Sequence, residues 1–190
     1  MANDAQKAKA KHVIIPVLVI ALTVLGLSFG IKYWEGKHTP AGSHAGPEVG
    51  TVLPDFGAPK VGNEKQSLRF SQLQSKIVMV NFWATWCEAC IVEMPSIVRL
   101  RTDYKSKGFE VLGVSLDENS TLVPPMMKKL GMEFPVVIDS EGKLGDLFDV
   151  HAIPLTIIMD KSGKILMLQK GELDWNSAKF REKLEAWLAG

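Results

Sequence analysis

Sulfur chemistry is scarce in this chain: Cys87 and Cys90 are its only cysteines in 190 residues. A structural zinc site would need a second Cys or His pair at ligand spacing, and the sequence offers none. Three of the four histidines, His12, His38 and His44, fall in the first fifty residues, which leaves His151 alone further on. An excess of one charge is missing too. Lys and Arg number 22 against 21 Asp and Glu, a net charge of +1, so no basic field exists to hold nucleic acid. There is no internal repeat. No Lys, Arg or His lies between Trp83 and Pro95, so the charged sequence neighbours of the cysteines are Glu88 and Glu93.

What is present centres on Trp86-Cys87-Glu88-Ala89-Cys90. The apolar run 77–83 before it reads as a buried strand, and Ile91-Val92-Glu93-Met94 after it as the start of a helix. A Cys-x-x-Cys at a strand-to-helix junction puts the first sulfur at a helix N-terminus. There the orphan N–H groups and the helix dipole stabilise a thiolate. The second sulfur lies three residues on, on the same face, close enough to close a small disulfide ring. A purely structural disulfide of this size removes little chain entropy, so a dithiol that cycles between reduced and oxidised forms is the favoured reading.

The first fifty residues set the expected compartment. Val13 to Ile31 carries no charge over about 19 residues, just enough to span a bilayer core. Lys7, Lys9, Lys11 and His12 precede it, and Lys32-Tyr33-Trp34 follow. The positive-inside rule then keeps the N-terminus in the cytoplasm and exports the remainder. A cleaved signal peptide is the competing reading, with Ser28-Phe29-Gly30 as its only small-x-small site. No Cys near the end of this segment supports lipid modification. Residues 35–50, rich in Gly, Pro and Ser, read as a flexible tether. The expected organisation is a cytoplasmic tail at 1–12, a transmembrane anchor at 13–31, a linker at 32–50 and one domain at 51–190.

Within that domain strands alternate with helices. Residues 68–73 read as a short edge element and turn, 77–83 as a strand, 88–107 as a helix closed by Gly108 and 110–116 as a strand. Next come a short helix at 126–130 behind Pro124-Pro125, a strand at 135–138 and a helical turn or two at 143–148. Two strands at 155–159 and 165–169, joined by a hairpin turn, precede a final amphipathic helix at 176–189. The alternation predicts a layered α/β fold.

Asn81-Phe82-Trp83-Ala84-Thr85-Trp86-Cys87-x-x-Cys90 followed by Glu93-Met94-Pro95 resembles the thioredoxin-like proteins of the TlpA/ResA/CcmG type. These are membrane-anchored, extracytoplasmic thiol–disulfide oxidoreductases. Val52-Leu53-Pro54-Asp55-Phe56 resembles the segment before their first hairpin, Ile153-Pro154 their cis-proline loop, and Gly171-Glu172-Leu173-Asp174-Trp175 the stretch before their last helix. The resemblance implies a thioredoxin-like α/β fold with a central insert. Two departures stand out: Ala89 where the family often has Pro, and Leu155 after the cis-proline where it often has Thr. Leu155 would put an apolar side chain beside the substrate groove.

Roles follow residue by residue. Cys87 is expected as the exposed nucleophile and Cys90 as the buried resolving thiol. The resemblance gives Glu93, one helical turn beyond Cys90, a proton-handling role. Asn81 stands where ordinary thioredoxins carry a buried Asp, and an amide takes no proton. Trp83 is expected in the core and Trp86 at the sulfurs or the partner. Pro154 is expected cis, with the backbone of Ile153 ready to pair with an extended substrate. The implied partners are protein disulfides, such as apocytochrome c or a copper-site protein, and a membrane dithiol donor. No cofactor or metal is called for. Two rival readings are a copper-delivery module using the cysteines with His151, and a thiol peroxidase.

Overall fold

A computed structural model of the chain describes residues 46–73 and 75–190. The expected tail at 1–12 and anchor at 13–31, with residues 32–45 of the linker, lie outside them. Among the described residues no helix is long and apolar enough to cross a membrane.

Seven strands form one mixed sheet in the order β2-β1-β5-β4-β3-β6-β7. They are β1 (Gly57–Lys60), β2 (Asn63–Arg69), β3 (Ile77–Trp83), β4 (Phe109–Ser115), β5 (Val136–Ile138), β6 (Leu155–Asp160) and β7 (Ile165–Lys170). β3, β4 and β5 run parallel, while β6 and β1 join them antiparallel. Among the described residues the α-helices are α1 (Glu88–Tyr104), α2 (Val123–Leu130), α3 (Lys143–Leu147) and α4 (Ala178–Ala189).

β3 is the spine, and every one of its residues is buried. A strand covered on both faces must be apolar on both, which is why it reads as an unbroken run rather than an alternation. Ile77, Met79 and Trp83 face a core shared with Met94, Ile97 and Leu100 of α1 and Phe180 and Leu184 of α4. Val78, Val80 and Phe82 face a second core with Phe56, Phe70, Leu144 and Phe148. Successive side chains of a strand point to opposite faces, so one strand feeds both cores.

Three elements differ most from the sequence expectation. Residues 68–73 divide into the end of β2 and a 3-10 turn over Phe70–Gln72, and the hairpin of β1 and β2 follows Phe56, where the resemblance implied a first hairpin, although no residue pattern marked its strands. The helix expected to reach residue 107 ends at Tyr104 and continues as a 3-10 turn, Lys105–Lys107. Gly108 then adopts φ 97°, which side chains resist. α2 begins at Val123, because Pro124 and Pro125 fit its first turn, where no N–H is needed.

Candidate active site

α1 starts where β3 runs out. Cys87 is its N-cap residue, in extended backbone geometry, and its Sγ accepts from the N–H of Cys90 at 3.2 Å. Cys87 and Cys90 are joined by a disulfide. The segment before them is pinned from the next strand. The buried carboxylate of Asp117, just beyond β4, accepts from Thr85 N–H at 3.0 Å, from Thr85 Oγ1 at 2.6 Å and from Ser115 Oγ at 2.8 Å. Leu116 N–H donates to Trp83 O at 2.9 Å. The turn that presents Cys87 is therefore fixed to the end of β4 before the helix begins.

The expected exposed nucleophile is nearly covered. Cys87 keeps 7% of its surface and Cys90 none, so the difference in access between the sulfurs has the expected sign on a smaller scale. Packing against the α1 core accounts for the cover. Trp86 is the opposite case, 69% exposed beside the cysteines, while Trp83 is fully buried. Val92, one turn further along α1, is 64% exposed.

The buried stripe of α1 runs Cys90, Glu93, Met94, Ile97, Leu100, Arg101 and Tyr104. Two charges sit in it, and the fold answers them differently. Arg101 meets Glu110 of β4 in a two-pronged pair, at 2.9 and 3.2 Å. Glu93 has only neutral donors. Asn81 Nδ2 reaches its Oε1 at 2.9 Å, and Trp175 Nε1 and Leu173 N–H reach its Oε2 at 3.0 and 3.3 Å. Burial pushes the Glu93 carboxyl above the ordinary glutamate range. The three hydrogen bonds favour the anion and oppose that shift, and the charge of Glu172 adds to it. A buried carboxyl with a displaced pKa, one helical turn from Cys90, is a candidate functional group.

Asn81 and Thr156 lie directly opposite on the β3–β6 ladder, so Asn81 Nδ2 also donates to Thr156 Oγ1 at 2.9 Å. Ser96 Oγ, on the next turn of α1, accepts from Trp175 N–H at 3.1 Å. The stretch Leu173–Trp175 is thus tied to α1 through Glu93 and Ser96. Asp117, Thr156, Ser96 and Trp175 were not singled out from the sequence as site residues. The Gly171–Trp175 resemblance was the one signal that could have led to Trp175.

The peptide Ile153-Pro154 is cis, as the resemblance implied. Pro154 is buried and Ile153 half-buried. Leu155 departs from its expected place: it pairs with Phe82 and packs, 3% exposed, into the second core. Strand alternation sends its side chain away from α1. His151 is exposed, with Nε2 2.9 Å from Asp149 Oδ1. Among the described residues no group of three or more His, Cys, Asp or Glu side chains is placed to hold a metal ion.

A family model described as AhpC/TSA family matches residues 49–167. The chain belongs to the AhpC/TSA family. The AhpC/TSA match takes in the cysteines, Glu93, Asp117 and the cis-proline, whereas Leu173 and Trp175 lie beyond it. Among curated relatives, the thiol-disulfide oxidoreductase ResA of Oceanobacillus iheyensis is 36% identical over 127 residues, 66% of each chain. That of Bacillus thuringiensis subsp. konkukian is 32% identical over 170 residues, 90% of this chain and 92% of the relative. Among solved structures, a Chlorobium tepidum protein assigned as a thiol:disulfide interchange protein DsbE superposes with a TM-score of 0.67 at 27% identity. It covers 74% of this chain and 98% of its own. The fold is thioredoxin-like, a mixed α/β sheet with the Cys-x-x-Cys at the start of a helix.

Proposed function

We propose that this thiol–disulfide oxidoreductase works as a reductase of protein disulfides on the extracytoplasmic face of a membrane. The observation that carries the reading is the Cys87–Cys90 disulfide at the start of α1, with a buried, neutrally held carboxyl one turn behind it. In the reducing direction Cys87 attacks a substrate disulfide as the thiolate, and one substrate thiol leaves. Cys90 then gives its proton to Glu93 and attacks Cys87 Sγ, which releases the second substrate thiol. Two electrons pass to the substrate, and the protein is left oxidised. A dithiol donor in the membrane restores it.

The charges around the cysteines favour the reducing direction. Strong oxidants of this fold stabilise the reduced form through its thiolate. Here Glu88 and Glu93 oppose the helix dipole, and no Lys, Arg or His lies between Trp83 and Pro95. Residues 13–31 serve as the anchor and residues 32–50 as the tether. The family's inserted element is read within the segment between Cys90 and Pro154, and apocytochrome c or a copper-site protein as the substrate class. Trp86, exposed next to Cys87 in the chain, and the cis Ile153-Pro154 loop serve as the substrate contact. Equilibration with glutathione and dithiothreitol buffers tests the direction. The expected potential is roughly −250 mV, and a value above about −180 mV would mean an oxidase or isomerase instead. Mass spectrometry of mixed disulfides trapped by a Cys90→Ala variant identifies the substrate.

A further inference from the structure

A groove of about 470 Å3 runs along α1 between Val92, Pro95 and Arg99 on one side and Glu172 and Asp174 on the other, and Glu93 lines it. This places Glu93 between two environments. On one side it is bonded into the interior through Asn81 and Trp175. On the other it borders open space, which accounts for its 3% residual exposure. Cys90 has no exposed surface at all. A proton leaving its sulfur must be passed on inside the protein before it meets water. Leu173 N–H, bonded to Glu93 Oε2, holds the adjoining Glu172 at this same groove.

We propose that this groove is the route by which the Cys90 proton, once on Glu93, reaches water, and that Glu172 is the positioning residue of that route. The inference rests on the proposed role of Glu93 and extends it to the exit. Per turnover, the S–H bond of Cys90 breaks and its electron pair forms the bond to Cys87 Sγ, while the mixed disulfide between Cys87 and the substrate breaks and its electron pair leaves on the substrate sulfur as a thiolate. The proton rests on Glu93, then leaves to a water in the groove, and Glu93 returns to its anion. The charged groups facing Glu93 are few. α1 contributes Arg99, the loop before α4 contributes Glu172 and Asp174, and the sheet side contributes only the neutral Asn81 and Thr156. An anion at the groove favours a proton in transit, and its field also holds Glu93 closer to the proton affinity of a thiol, where exchange between the two is easiest.

The test is stopped-flow oxidation of the reduced protein by an aromatic disulfide whose thiol product absorbs light. Attack by Cys87 releases the first aryl thiol, and resolution by Cys90 releases the second. In Glu172→Gln the first phase should be unchanged. The second should slow by roughly twofold to tenfold at its plateau, with its pH limb displaced to lower pH. Glu172→Asp should restore the parent profile. Val92→Trp, which fills the mouth of the groove from an exposed position, should also slow only the second phase. Glu93→Gln separates the two claims. If it changes the second phase while Glu172→Gln and Val92→Trp do not, the exit route is wrong and the role of Glu93 stands. An unchanged second phase in Glu93→Gln overturns both. Should that variant fail to fold, the surface pair Glu172→Gln and Glu172→Asp still decides: two parent-like profiles refute the route.

Discussion

The two cores on either side of β3 are built from the same strand but to different rules. The core under α3 is apolar and aromatic: Phe56 stacks on Phe70, and Phe148 meets both Phe56 and Phe82 at centroid distances of 4.9 and 5.1 Å. The core under α1 and α4 contains both sulfurs, Glu93, Asn81, Thr156 and the Trp175 indole. Burying a carboxylate costs free energy unless donors meet it, and here three donors do so only in part. The first core maximises packing. The second gives up some of it to hold a group that can take a proton, which indicates which side of the sheet the chemistry occupies.

The largest break in that comparison is Cys87→Ser. It should abolish disulfide reduction while leaving thermal unfolding close to that of the reduced parent, as checked by an insulin-reduction assay and calorimetry. On the opposite face Phe82→Ala should do the reverse. Removing a fully buried ring should cost about 3–5 kcal/mol in denaturant unfolding, with the activity of the molecules that stay folded unchanged.

Glu93→Gln crosses the two rules, because it keeps volume and removes the proton. Turnover should fall on the order of a hundredfold, with a flattened pH–rate profile. Stability should move the other way with pH. The folded parent holds the Glu93 proton more tightly than the unfolded chain does. That advantage is complete below the ordinary glutamate pKa, about 4.3, and is lost as pH rises through the raised folded value. Denaturant titrations across this window should show the parent losing stability relative to the Gln variant. If the two curves run parallel, the carboxyl is not displaced upward. The smallest effect belongs to Trp86→Ala. Its ring is largely solvated, so stability should hardly change, and KM for a protein disulfide should rise by roughly threefold to tenfold as an exposed aromatic anchor is lost.

These differences explain what the sequence made legible. β3, β4 and β6 stood out because they lie inside the sheet, where both faces are covered and the strands are mainly apolar, and β7 because a short turn joins it to β6 as a hairpin. The cysteines, Glu93 and the Ile153-Pro154 loop were legible as a pattern of residue types at fixed spacing. β1 and β2 were not. Asn63–Arg69 is polar and almost wholly exposed, so no hydrophobic period marks it. Its end is secured instead by Asp55, which accepts from Arg69 Nε at 2.6 Å and Ser71 N–H at 3.0 Å. Asp117 and Trp175 were missed for a different reason. Their roles arise from contacts across 32 and 82 residues, and no local pattern announces a partner that far away. Leu155 was misplaced because a departure from the family pattern says nothing of the face it will occupy.

The hydrogen bond from Cys90 N–H to Cys87 Sγ has a thermodynamic corollary. The sulfur that exchanges electrons is also the group that caps α1, so redox state and folding share one closed cycle. The free energy separating the oxidised from the reduced native protein, less the same difference in the unfolded chain, equals the difference between their unfolding free energies. For a two-electron couple about 1.4 kcal/mol corresponds to 30 mV. Two denaturation curves, one for each redox state, would therefore give the potential relative to the unfolded dithiol with no redox buffer at all. Any substitution that alters the start of α1 in only one of the two states would shift that potential by a predictable amount.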